Sequence, residues 1–102
     1  MLFNQETFAR HLRDLIGHLE SNNGDQAEFY FTDALEFVEK SDALPPGMQG
    51  FPPQKVQTTL IALNCGRSAF DQGDFARALA YANDALEAWE GKGNTFSPGT
   101  QI

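Results

Sequence analysis

The chain has 102 residues, of which 41% are hydrophobic and 21% charged, and its formal net charge is −7. This hydrophobic content excludes a disordered chain, and no stretch reaches the roughly 18 apolar residues of a membrane span. Seven basic against fourteen acidic residues disfavour nucleic acid as a partner, and one Cys excludes a disulfide framework or a Cys-based zinc site. The composition predicts one small acidic domain in the cytoplasm, with no membrane partner.

The first predicted helix runs from Asn4 to about residue 20. Its apolar residues repeat with helical spacing along one stripe: Phe8, Leu12, Leu15, Ile16 and Leu19. Asn4 is a suitable N-cap, and Phe3 stands where it can form a hydrophobic staple with Phe8. The polar stretch 21–24, which ends in Gly, predicts the end of this helix.

The second predicted helix runs from Asp25 to about Lys40. Asp25 with Glu28 resembles a capping box, and the apolar residues share one side: Ala27, Tyr30, Phe31, Ala34, Leu35, Phe37 and Val38. The helical period places Phe29 on the opposite, acidic side. The period does not explain why an aromatic residue occurs there.

A Pro/Gly-rich loop is predicted over residues 41–53, because four prolines in this stretch exclude a helix interior or a central strand. Its length favours a functional loop or a packed cover. Three apolar residues favour packing: Leu44, Met48 and Phe51.

The third predicted helix covers residues 54 to about 72, with Pro53 in its first turn. Its apolar residues surround much of the helix, which predicts a central position with neighbours on several sides. The fourth helix is capped by Asp74 and ends at Gly91, and residues 92–102 are predicted to form a flexible tail.

The sequence contains a weak internal repeat. Asp-Ala-Leu-Glu occurs at 33–36 and again at 84–87, and both Gly17 and Gly66 precede a Gly-Asp pair by seven residues. The first copy is two residues shorter, which rotates its second helix face by about 200° and prevents identical packing. We therefore predict a single all-α domain over residues 1–91, built from two antiparallel helical hairpins.

The two hairpins are predicted over residues 4–40 and 54–91. Residues 62–90 resemble a tetratricopeptide repeat (TPR), and residues 8–40 do so weakly. The family's pattern is matched by the small residue of the first helix, the Gly-Asp-aromatic turn and two alanines of the second helix: Gly66, Gly73, Asp74, Phe75, Ala78 and Ala85.

The chain departs from the TPR pattern where the family has bulky residues or Pro: Ala62, Cys65, Ala69, Ala82 and Glu90. Phe70 and Trp89 are the residues expected to supply the missing volume. Two hairpins are fewer than the three or so repeats of a self-sufficient array, so we expect a homodimer or a partner protein to cover the open faces.

The TPR resemblance implies protein binding in a groove formed by the first helices of the hairpins. The third helix then supplies the candidate contact residues Leu60, Leu63, Asn64, Arg67 and Phe70. The alternative is that Leu60, Leu63 and Phe70 are core residues, as apolar stripes usually are.

The negative charge is concentrated in the first half of the chain. Residues 1–53 hold nine acidic and three basic residues, and residues 54–102 hold five and four. The second helix therefore presents either a solvated face or a docking face for a basic partner. In the docking interpretation Phe29 is the hydrophobic anchor, surrounded by Glu28, Asp33 and Glu36.

Features of catalytic, cofactor or metal sites are weak. His11, Asp14 and His18 share one flank of the first helix, but the two histidines are separated by a rise of about 10.5 Å, which is too far to bind one ion. Cys65 is expected to be a buried small residue on the third helix. A small-molecule site under the Pro/Gly-rich loop is a remaining alternative.

The sequence therefore predicts a protein that is not an enzyme and has no cofactor. Its predicted function is that of a protein–protein interaction module, acting as an adaptor, chaperone-like protein or accessory subunit. The alternative function is an acidic inhibitor, of the immunity-protein type, that binds a basic protein partner.

Overall fold

The computed structural model describes residues 4–45 and 50–91. They form four helices: α1 (Gln5–Glu20), α2 (Gly24–Ala43), α3 (Pro53–Asp71) and α4 (Phe75–Glu90). The described residues contain no strand, so the all-α prediction is confirmed. The predicted tail 92–102 and the predicted staple residue Phe3 lie outside the described residues.

The start and end of α1 follow from local side-chain chemistry. The Asn4 Oδ1 accepts a hydrogen bond from the Thr7 backbone N–H at 2.8 Å, and the Thr7 hydroxyl accepts one from the Asn4 N–H at 2.8 Å. This reciprocal capping box satisfies two backbone donors that the first turn leaves free. The chain leaves the helix through Asn22, whose φ of 57° is tolerated by Asn.

The predicted end of α2 is wrong, whereas its start agrees within a residue. The helix begins one residue earlier, after Asn23, so Asp25 lies in its first turn rather than at the cap. It continues three residues beyond Lys40, and Ser41 in this last turn is buried. Leu44 is extended, as the residue before a proline must be, and the connecting loop therefore begins at Leu44 instead of residue 41.

The bounds of α3 and α4 agree with the sequence within a residue. Pro53 occupies the first turn of α3, and Gly73 has a φ of 80° in the turn that follows. The Asp74 carboxylate accepts a hydrogen bond from the Arg77 N–H at 3.2 Å, and Gly91 ends α4 with a φ of 81°. Glycine takes this left-handed conformation without the clash that a Cβ introduces.

The helices pack in a closed ring. Each helix contacts the next along the chain, and α1 also packs extensively against α4. The Trp89 indole N–H donates to the Gln5 carbonyl at 2.9 Å, while the Gln5 amide donates to the Trp89 carbonyl at 2.9 Å. The sequence did not predict this contact between the first and last helices.

Aromatic side chains fill both ends of the four-helix bundle. At one end Trp89 is fully buried, with ring centroids 4.6 Å from Phe8 and 4.7 Å from Phe51. At the other end, the ring centroid of Phe70 lies 5.6 Å from that of Phe31 and 5.0 Å from that of Phe75. Phe51 thus packs the connecting loop onto the core, as the sequence predicted for this residue.

Candidate functional site

The acidic face of α2 carries the exposed aromatic residue that the sequence singled out. Phe29 is 59% exposed and meets the neighbouring Tyr30 ring edge-on, with 5.8 Å between centroids. Glu28 pairs with Arg67 at 3.6 Å, Glu36 pairs with Lys40 at 3.1 Å, and Asp33 is partly buried. The position of Phe29 on the solvent side of the helix is therefore as the period predicted.

The predicted contact residues of α3 do not form one open surface. Leu63 is fully buried, and Leu60 and Phe70 are partly buried against the core. Arg67 links α3 to α2 through Glu28 and the Thr32 hydroxyl at 3.0 Å, and it also pairs with Asp71 of its own helix at 3.0 Å. The three apolar residues thus take the core positions of the alternative interpretation.

Of these α3 candidates, only Asn64 is exposed to solvent. The TPR-type groove also requires the first helices of the two hairpins to be neighbours. Among the described residues, α1 and α3 are not one of the extensively packed helix pairs.

The open apolar surface of α3 lies on its other side, where it faces α4. Ile61 is 64% exposed there. The helix itself packs against both α2 and α4, as its widely distributed apolar residues predicted. It borders a groove of about 490 Å³ between the two helices. The groove is lined by Thr58, Ile61, Ala62, Cys65, Tyr81, Asp84 and Glu87.

A smaller concavity of about 170 Å³ continues this groove along the same helices. It shares Cys65 and Tyr81 with the first and is otherwise lined by Ser68, Ala69, Gln72 and Arg77. We call the two together the α3–α4 groove. From Thr58 to Gln72 the α3 side rises by about 21 Å, which is the length of four helical turns.

Small side chains line the α3 side of the groove. They are Ala62, Cys65 and Ala69, the positions at which the resemblance to a TPR implied larger residues. The expectation that Phe70 and Trp89 fill this volume is wrong. Both side chains instead pack among aromatic residues at the two ends of the four-helix bundle. Cys65 is accordingly only partly buried, which corrects its predicted burial.

The two ends of the α3–α4 groove differ in charge. Asp84 and Glu87 lie one helical turn apart at the end that contains Thr58, and Arg77 lies at the opposite end with Gln72. Within the described part of the chain, none of these three charged groups forms an ion pair. Their charges are therefore available to a bound molecule.

A second, polar concavity of about 420 Å³ lies between the start of α1 and the end of α4. It is lined by Gln5, Glu6, Ala9, Arg10, Arg13 and Glu90. Arg13 forms an ion pair with Glu90 across it. We assign this pair to the contact that closes the ring of helices.

The histidines of α1 are packed rather than displayed on a polar flank. His11 is buried, its Nε2 lies 3.0 Å from the Tyr30 carbonyl oxygen, and its ring stacks on the Tyr30 ring at 4.6 Å. His18 lies 4.9 Å from the same ring. In residues 4–45 and 50–91, no three His, Cys, Asp or Glu side chains are placed to hold a metal ion.

Comparisons with known proteins found no match for this chain. No family model matches the sequence, and no curated protein or solved structure is significantly similar to the chain. Within the two described ranges, every helix is too short or too polar to cross a membrane.

Proposed function

We propose that this chain is a non-catalytic protein-interaction module of the cytoplasm, acting as an adaptor, chaperone-like protein or accessory subunit. The observation that carries the proposal is the α3–α4 groove, with Ile61 64% exposed at its border. A large apolar side chain beside an apolar concavity is typical of protein contact sites. The TPR resemblance of residues 62–90 supports the same class of function.

The proposed contact surface differs from the one implied by the resemblance. The TPR-type surface would use Leu60, Leu63 and Phe70, whose side chains contribute to the core of this fold. Removing them from the core to bind a partner would expose apolar area, and this exposure costs roughly 25 cal/mol of free energy per Å². Ile61 already lies in solvent, so a partner that covers it gains this free energy without unpacking the chain.

Variants of α3 test the proposed surface by partner capture. Ile61→Asp should lower the recovery of a stoichiometric partner at least about tenfold, because it places a charge where the groove must be desolvated. Ser21→Asp, which adds the same charge at an exposed position after α1 and outside the groove, should leave recovery unchanged. Loss of the partner with Asn64→Asp but not with Ile61→Asp would move the site to the TPR-type surface and refute the proposal.

The second candidate function is an acidic inhibitor that binds a basic protein through the face of α2. The exposure of Phe29 among Glu28, Asp33 and Glu36 favours it. Phe29→Ala should then weaken binding at least about tenfold, since buried aromatic anchors dominate such interfaces. Gln26→Ala, an exposed α2 position, serves as the control.

Salt separates the two candidates in a kinetic binding measurement. Association with a basic partner through the α2 face should slow markedly as ionic strength rises. Association through the α3–α4 groove should slow less, because covering the exposed Ile61 side chain contributes apolar burial that salt does not screen. A partner that is insensitive to both Phe29→Ala and salt excludes the inhibitor function.

A further inference from the structure

We propose that the α3–α4 groove binds an amphipathic α-helix of a partner protein, with basic side chains at the end that faces Asp84 and Glu87. This inference rests on the proposed function and specifies the chemistry of the partner. It combines three properties of the groove: its shape, its apolar floor and its unequal ends.

The shape of the groove favours a helix as the occupant. Two packed helices leave a long concavity between them, and a third helix can lay a ridge of side chains into it. The length of about 21 Å matches about 14 residues of such a helix. Apolar residues of the occupant spaced three and four apart would contact Ile61, Ala62, Cys65 and Tyr81.

The charges determine which occupant is complementary. Asp84 is exposed and Glu87 partly exposed at one end of the groove, and neither carboxylate has an ion-pair partner among the described residues. Lys or Arg on the occupant would compensate both carboxylates there. Arg77 at the opposite end favours an acidic side chain or the carboxyl end of the bound helix. This asymmetry predicts one orientation of the helix in the groove.

A second copy of this chain is a poorer occupant. A two-fold contact places the same surface on both sides, so one concavity would face another and leave the floor unfilled. It would also bring together two chains that each carry a net charge of −7. A basic amphipathic helix can fill the floor of the groove, and its charge is opposite to that of this chain.

The test uses the full chain and synthetic peptide probes of 14 residues. One peptide has a Leu stripe flanked by Lys, and the other has the same stripe flanked by Glu. Binding is measured by fluorescence anisotropy, and the contact surface by amide chemical shifts in NMR spectra. The Lys peptide should bind and shift the amides of Ile61, Ala62, Cys65 and Tyr81, and the Glu peptide should bind at least about tenfold more weakly.

Charge-matched variants separate a specific contact from general attraction. Asp84→Asn with Glu87→Gln should weaken binding of the Lys peptide about tenfold. Glu20→Gln with Glu39→Gln removes the same charge from exposed positions of α1 and α2 and should change the affinity less than about twofold. Ile61→Ser should abolish the chemical shift changes in the groove. Circular dichroism checks that each variant is folded.

Several outcomes would overturn the inference. Equal weakening by the two double variants would mean diffuse attraction to an acidic protein, and equal binding of both peptides would remove the charge preference. Self-association that Ile61→Ser abolishes would make a second copy the occupant. If partner capture depends on Ile61 but not on Asp84 and Glu87, the inference fails while the proposed function stands. If Ile61→Asp leaves partner capture unchanged, the proposed function itself fails.

Discussion

Gly66 and Gly17 show how strongly the environment decides the role of a residue. They occupy equivalent places in the internal repeat, yet a Cβ added at Gly66 would lie 3.1 Å from Phe31 Cε1 and 3.2 Å from Tyr81 Cβ. A Cβ at Gly17 would have no atom within 4 Å. Gly66 therefore allows α3 to approach α2 and α4, whereas Gly17 faces solvent on α1.

Alanine at these two positions should change stability in opposite directions. Gly66→Ala should lower the free energy of unfolding by about 1–3 kcal/mol, because the fully buried Phe31 ring has little room to move. Gly17→Ala should raise it by about 0.5–1 kcal/mol through the better helix propensity of Ala. Urea denaturation followed by circular dichroism measures both. Stabilisation by Gly66→Ala would contradict the close approach of the helices.

At the scale of helices, the contact between α1 and α4 distinguishes this fold from two separate hairpins. It combines the buried Trp89 ring, two hydrogen bonds between Trp89 and Gln5, and the ion pair between Arg13 and Glu90. The Lys55 ammonium also lies 5.3 Å from the centroid of the Trp89 ring, on the side of α3. Trp89 thus connects elements from both halves of the chain.

Truncation of Trp89 should separate the contribution of its ring from that of its hydrogen bond. Trp89→Ala should destabilise the chain by about 3–5 kcal/mol, since it leaves a large cavity among aromatic rings. Trp89→Phe should cost less, about 1–3 kcal/mol, because an aromatic ring remains while the Gln5 carbonyl loses its donor. Thermal unfolding monitored by circular dichroism checks the order. Equal costs would show that the ring contributes little to closing the bundle.

For the whole molecule, ring closure changes the expectation of how the helical faces are covered. Two open hairpins would require a homodimer or a partner, but here α1 and α4 cover each other. The α3–α4 groove remains open, with Ile61 as its exposed apolar residue. The surface left for the proposed partner is therefore one groove and not entire helix faces.

The free chain should accordingly be a monomer. We expect sedimentation velocity at concentrations up to about 100 μM to give a single species of 11.3 kDa, because the net charge of −7 opposes self-association. Raising the salt concentration to about 0.5 M tests whether charge repulsion alone maintains this state. A dimer that persists with Ile61→Asp would place a self-association surface outside the groove.

The limits of prediction are clearest at Phe29, His11 and Ile61. The helical period placed Phe29 in solvent because its neighbours at helical spacing are acidic, and this position depends on α2 alone. His11 appeared to lie on a polar flank, but the Tyr30 backbone of α2 provides a hydrogen-bonding partner that no pattern in α1 reveals. No pattern within α3 distinguishes Ile61 from the other apolar residues of the helix, and only the arrangement of the neighbouring helices leaves it exposed.

The sequence by itself determined the four helices and most of their ends. Capping residues, turn glycines and apolar periods act within about four residues of one another, so they can be read along the chain. Only the tertiary structure decided that α1 packs on α4 and that the small residues of α3 line an open groove. Those features depend on side chains far apart in sequence, as between Gln5 and Trp89, whose approach is set by the packing of all four helices.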